Sequence, residues 1–112
     1  MTLSEHTNAL PELSIETLGH ARFLAGKLDA AALAALSIRA LEQHAAAQSG
    51  TADARLVSVS NDVTGTVFSD GEGEIKSHID RQTRTLLFMG AELSSAAGLH
   101  LRSTAIFRLD AG

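Results

Sequence analysis

The chain is predicted to fold as α+β, with an antiparallel sheet wrapped around one long helix. Three observations carry that prediction. Residues 28–48, LDAAALAALSIRALEQHAAAQ, are rich in strong helix formers and contain neither Gly nor Pro. From residue 55 onward the apolar residues recur every second position, the period of a strand with one buried face. Short turns separate those later segments, and short turns join antiparallel neighbours.

The 112 residues suffice for a single core. Residues 1–12 read as a flexible leader ending near the only proline, Pro11, and 13–112 as one domain. Hydrophobic residues make up 45% of the chain, yet there is no Trp or Tyr and only four Phe. Such a core is thin, so burial against a second subunit is expected. The net charge is −4, and the nine Lys and Arg residues are scattered, which argues against neutralising a phosphate backbone. The absence of cysteine excludes disulfides, a thiolate nucleophile and Cys-ligated zinc. The polar, acidic start MTLSEHTNALPEL is unlike a signal peptide, and no apolar run reaches membrane-spanning length. A soluble cytoplasmic domain is expected.

Residues 13–24, LSIETLGHARFL, are ambiguous: Ile15, Thr17 and Gly19 fit a short strand, while the following ARFLAGKL fits a helical turn. The helix is expected to begin behind Asp29, a good N-cap residue, and to stop near Gly50. Leu33, Leu36, Ile38 and Leu41, with alanines between them, predict a helix buried on most sides. Next, 55–68 reads as a long half-buried strand. One face carries Val57, Val59, Val63 and Val67 with Asn61 and Gly65, the glycine suggesting a bulge or bend. SDGEG (69–73) is a turn, 74–80 alternates again, and 84–93 is apolar on both faces, as a central strand would be. SSAAG (94–98) turns the chain into 99–109, where Leu101, Ala105, Phe107 and Leu109 oppose Arg102, Thr104 and Arg108.

This order, together with GEIKSHIDRQTRTLLFMGAELSSAAGLHLRSTAIFRL (73–109), resembles the hotdog fold of acyl-CoA thioesterases over roughly residues 26–109. Hotdog thioesterases of the phenylacetate-degradation type carry Asn-x-x-Gly-x-x-His-Gly-Gly before the helix and an acid about two turns inside it. In this chain Gly26 matches the first glycine, Phe23 takes the Asn position and Asp29 the His position. Ala30 and Ala31 take the two glycine positions, and Ile38 falls where the helical acid belongs. The resemblance implies a homodimer or tetramer acting on a thioester, with CoA as part of the substrate and no separate cofactor. Other hotdog thioesterases place an aspartate near the start of the helix. The implied role for Asp29 is then to attack the thioester or to direct a water onto it. Backbone amides around Gly26, Ala30 and Ala31 would polarise the carbonyl.

Each candidate also has a plain structural reading. Asp29 is an N-cap in any case. Asn61 interrupts a valine face, so its amide either finds hydrogen-bond partners or meets substrate. Glu42, one turn beyond Ile38, is either a solvated residue or a displaced catalytic acid. Lys76, Arg81 and Arg84, read as a cluster around one turn, are either solvated charges or contacts for the phosphates of CoA. The five histidines lack metal-ligand spacing, and no Gly-x-Ser-x-Gly nucleophile elbow occurs. The expected function is hydrolysis of a small or medium acyl-CoA thioester. The alternative is a non-catalytic hotdog module that binds an acyl group or serves as a structural dimer.

Overall fold

The computed structural model describes residues 10–50 and 53–110. In chain order these form β1 (Ser14–Thr17), β2 (His20–Ala25), α1 (Ala30–Ser49), β3 (Ala54–Val63), β4 (Gly71–Gln82), β5 (Leu86–Ser95) and β6 (Gly98–Leu109). The six strands make one sheet in the order β1-β2-β4-β5-β6-β3. Every neighbouring pair is antiparallel. One face of the β3–β6 portion carries the helix, so the α+β arrangement read from the sequence is the observed one.

Asp29 starts the helix as its N-cap, and Gly50 ends it in the left-handed conformation at φ 75°. At 20 residues α1 is about 30 Å long. Its buried residues are Leu33, Leu36, Ser37, Ala40, Leu41, His44 and Ala45, a single stripe at helical spacing. The expectation of burial on most sides is therefore corrected. Ala30, Ala31, Arg39, Glu42, Gln43, Ala47 and Gln48 lie exposed, because one sheet covers only one side of a helix.

The ambiguous N-terminal stretch is a hairpin. Thr17 pairs with His20 around a Leu18–Gly19 turn, which the positive φ of Gly19 permits. In β2, Ala21 and Phe23 are buried while Leu24 points outward. Leu10 and Leu13 pack against the core; residues 1–9 of the expected leader lie outside the described residues.

The strand expected over 55–68 ends at Val63. Its register slips between the Leu56–Phe107 and Ser58–Ile106 pairs. The unpaired Val57 is thereby turned outward, 53% exposed. Leu56 and Val59 then face the core, so the single valine face is replaced by two half-faces of opposite phase. Val63 and Val67 are exposed too. The bend falls at Gly65, with φ 93°. Beyond it Phe68 bridges back to Leu28, whose N–H donates to Phe68 O at 3.2 Å, and the Phe68 ring is buried.

β4 begins two residues inside the expected 69–73 turn and continues to Gln82, leaving Thr83–Thr85 to reverse the chain. β5 lies between β4 and β6. Its Leu87, Met89, Ala91 and Leu93 line the core together with Leu36 and Leu41, as expected of a central strand. Among the described residues no helix is long and apolar enough to cross a membrane.

Candidate functional site

The helix mouth is built by the Asp29 cap. Asp29 Oδ1 accepts from Ala32 N–H at 2.9 Å, and the Asp29 carbonyl accepts from Leu33 N–H at 3.0 Å. The first satisfies one of the donors that a helix start leaves unpaired, and the second is the first intrahelical bond. The Ala30 and Ala31 N–H groups have no partner among the described residues. Asp29 is exposed and, with Leu10, Ala31, Ala32 and Ala35, lines an open depression of about 240 Å³. The arrangement sets a carboxylate with one uncommitted oxygen beside two backbone donors at the positive end of a helix. Gly26, two residues before the Leu28 bridge, is exposed, and a Cβ there would meet nothing. Its backbone needs no glycine.

Asn61 is placed elsewhere. Its Oδ1 accepts from Ser103 Oγ at 2.7 Å, and Ser103 Oγ lies 2.9 Å from Ser37 Oγ. Ser103 has one proton and gives it to Asn61, so Ser37 donates to Ser103. The chain links β3, β6 and the middle of α1 inside the core. Ser37 lies eight residues into the helix from Asp29, about 12 Å along its axis, and Glu42 about 20 Å. Within one chain, Asp29, Asn61 and Glu42 are therefore not brought together. Glu42 is exposed.

Nor do the three basic residues form a cluster. Lys76 lies in mid-strand opposite Glu92, its Nζ 3.8 Å from Glu74. Arg81 stacks over Phe88 at 5.9 Å, and Arg84 is exposed in the turn. That turn lies beside the end of α1, where Gln48 Nε2 donates to Gln82 Oε1 at 3.4 Å. Arg81 and Arg84 thus stand at the opposite end of the helix from Asp29. The reading of Lys76, Arg81 and Arg84 as a cluster around one turn missed that β4 continues to Gln82.

Two buried histidines were weighed from sequence only as metal ligands. At the β5–β6 hairpin the register slips between the Leu93–Leu101 and Ser94–Leu99 pairs, leaving His100 unpaired and turned inward. His100 Nδ1 donates to Thr66 O at 2.7 Å, which makes Nε2 the acceptor for Ser95 Oγ at 2.6 Å. The ring also meets Phe68 edge-on with centroids 5.4 Å apart. Thus the bulge ties the 64–68 connection to the hairpin. In the second half of α1, His44 Nδ1 lies 2.8 Å from Ser77 Oγ. Period-two counting from Leu101 would have placed Ser103 on the inward face. His100 could not be found that way, because a bulge shifts the phase.

Sequence comparison finds no matching family model and no curated relative. Comparison of folds finds clear similarity. A variant of the phenylacetic acid degradation protein PaaI from Thermus thermophilus superposes with a TM-score of 0.75 at 16% identity, over 95% of this chain and 99% of that one. Zebrafish thioesterase superfamily member 2 gives 0.72 at 17% identity, over 88% and 80% of the two chains. A variant of a Staphylococcus aureus thioesterase gives 0.74 at 11%, over 87% and 90%. The fold is the hotdog fold, in the form found in thioesterase-superfamily structures.

Proposed function

We propose that the protein hydrolyses a small or medium acyl thioester such as an acyl-CoA, with Asp29 as the reacting group. The observation that carries this reading is the Asp29 carboxylate, anchored through Oδ1 and open at a depression beside the unpartnered Ala30 and Ala31 amides. In this scheme a water proton passes to the free carboxylate oxygen while the water oxygen bonds to the thioester carbon. The oxyanion that forms faces the two N–H groups. The C–S bond then breaks and the thiolate leaves with the proton returned from Asp29, releasing the acid.

The second reading, a non-catalytic module, is favoured by Ile38, which stands where the resemblance calls for a helical acid. The test is thiol release across a panel of acyl-CoAs. Asp29→Asn keeps the cap and should lower turnover about 100-fold or more, the scale of a positioned acid–base group. Full activity in Asp29→Asn would reduce Asp29 to a cap, and inactivity of the wild type on every ester would favour the module.

The assembly belongs to the same proposal. β3 is a ten-residue edge strand bonded only to β6 among the described residues, with Val57 and Val63 exposed. Pairing with β3 of a second copy would cover that edge. The same pairing would bring a second protomer near the open helix face. Arg81 and Arg84 could serve a CoA bound at Asp29 only from that second protomer. Light scattering at micromolar concentration should report a dimer or tetramer; a monomer would remove both the pairing and the arginines from the scheme.

A further inference from the structure

A pocket lies between the β1–β2 hairpin and the second half of α1, away from the helix mouth. Its volume is about 150 Å³, comparable to an apolar cavity that accepts one benzene-sized molecule. Ile15, Leu18, Ala21, Ala40 and Ala47 supply apolar walls; His44 and Ser77 form a polar pair there, with Thr17, His20 and Gln43 also on the lining. Gly19 draws the hairpin tip down onto this pair. Its carbonyl accepts from Ser77 N–H at 2.9 Å, and a Cβ on Gly19 would lie 3.2 Å from His44 Cε1. At the rim Ile15 and Leu18 are 51% and 59% exposed, two large apolar side chains at a hairpin where polar residues are usual.

His44 presents one unused polar atom. Nδ1 is committed to Ser77, while Nε2 has no partner among the described residues and is not sealed from solvent. We propose that this pocket binds a small neutral ring compound bearing one hydroxyl, of the size and chemistry of phenol, with the hydroxyl on His44 Nε2. Charge selects neutrality: no Lys, Arg, Asp or Glu lines the pocket, and the His20 imidazole on its lining is already bonded to Glu74 at 3.1 Å, so a carboxylate or ammonium would enter without a free counter-charge. The hydroxyl follows from the His44–Ser77 pair, in which either atom can donate. Nε2 is then an acceptor or a donor, and a hydroxyl answers both. Burial, with a smaller push from the charge of His78, holds the imidazole below its ordinary value of 6.5. The ring is accordingly neutral at neutral pH. Ligand in the pocket would give Ile15 and Leu18 an apolar surface to cover.

The test is an NMR titration of the intact protein with phenol, benzene and benzoate, reading the Ile15 and Leu18 methyls and the His44 ring. Phenol should shift them saturably with a Kd of about 1 mM or tighter, within reach of so small a ligand. Benzene should bind about 3- to 10-fold more weakly for want of one hydrogen bond, and benzoate should not saturate. Ala47→Phe plugs the pocket from an exposed helix position and should abolish the phenol shifts while leaving the rest of the spectrum in place. His44→Leu should bring phenol down to the level of benzene. No saturable phenol shift in the wild type, or undiminished binding in Ala47→Phe, would overturn the site. Benzene or benzoate binding as tightly as phenol would overturn the assigned ligand chemistry.

Discussion

The mouth of α1 and the stretch from Ser37 to His44 both carry polar side chains, and the fold treats them in opposite ways. At the mouth Asp29 is exposed, holds a single backbone donor and faces an open depression. Farther along, Ser37 and His44 fall on the stripe that packs against the sheet. Each is bonded to a hydroxyl from a strand, Ser37 to Ser103 and His44 to Ser77. A polar group is left open to solvent at the exposed helix mouth. It becomes structural, or part of a half-open pocket, where the sheet lies over it. The comparison favours Asp29 over Asn61 as a reacting group, since Asn61 already accepts from Ser103.

The harshest way to break this comparison is to remove what both regions rest on. Leu36, fully buried between them, should cost about 2–5 kcal/mol when changed to Ala, read as a shifted denaturant midpoint. An unchanged midpoint would mean that the helix does not depend on this core.

A subtler contrast sets Ser103→Ala against Asp29→Ala. Removing the Ser103 hydroxyl leaves Asn61 without its donor and Ser37 without its acceptor, costing about 1–3 kcal/mol. Losing the cap should cost about 0.5–2 kcal/mol, largely restored by Asn. Equal, negligible losses in chemical denaturation would show that the buried chain is no more demanding than a surface cap.

The smallest effect separates the two sides of the sheet by pH. His78, on the outer side, bonds Glu92 at 3.2 Å and Asp80 at 3.0 Å. The hydrogen bond to Glu92 leads in raising its pKa above 6.5, with the charges of both carboxylates adding to it. Burial depresses that of His44. The His44 contribution is therefore present above 6.5 and is lost as pH falls through its lowered pKa, because the unfolded chain binds the proton more tightly. The His78 contribution is present below 6.5 and is lost as pH rises through its raised pKa. An NMR titration should find the His44 midpoint below that of His78. His78→Gln should move the His44 midpoint upward by removing a nearby positive charge. The reverse order of midpoints would contradict the burial of His44.

The sequence by itself determined the helix, its two caps and the central strand. Strong helix formers between Asp29 and Gly50, and apolar residues on both faces of 84–93, are local or periodic signals that need no knowledge of partners. It also marked Asp29 as a residue with two possible roles. Only the tertiary structure decided where the other polar side chains go. Phase in a strand is lost at a bulge: Val57 and His100 each escape pairing, one turned to solvent and the other into the core. Which end of α1 meets the Thr83–Thr85 turn depends on how the sheet lies against the helix, so Arg81 and Arg84 could not be placed from spacing. His44 and Ser77 stand 33 positions apart and gain a shared pocket only because the β1–β2 hairpin closes over them. Periodicity reports the environment of a single element, while a site is made by side chains from several elements whose register is set by pairing across the sheet.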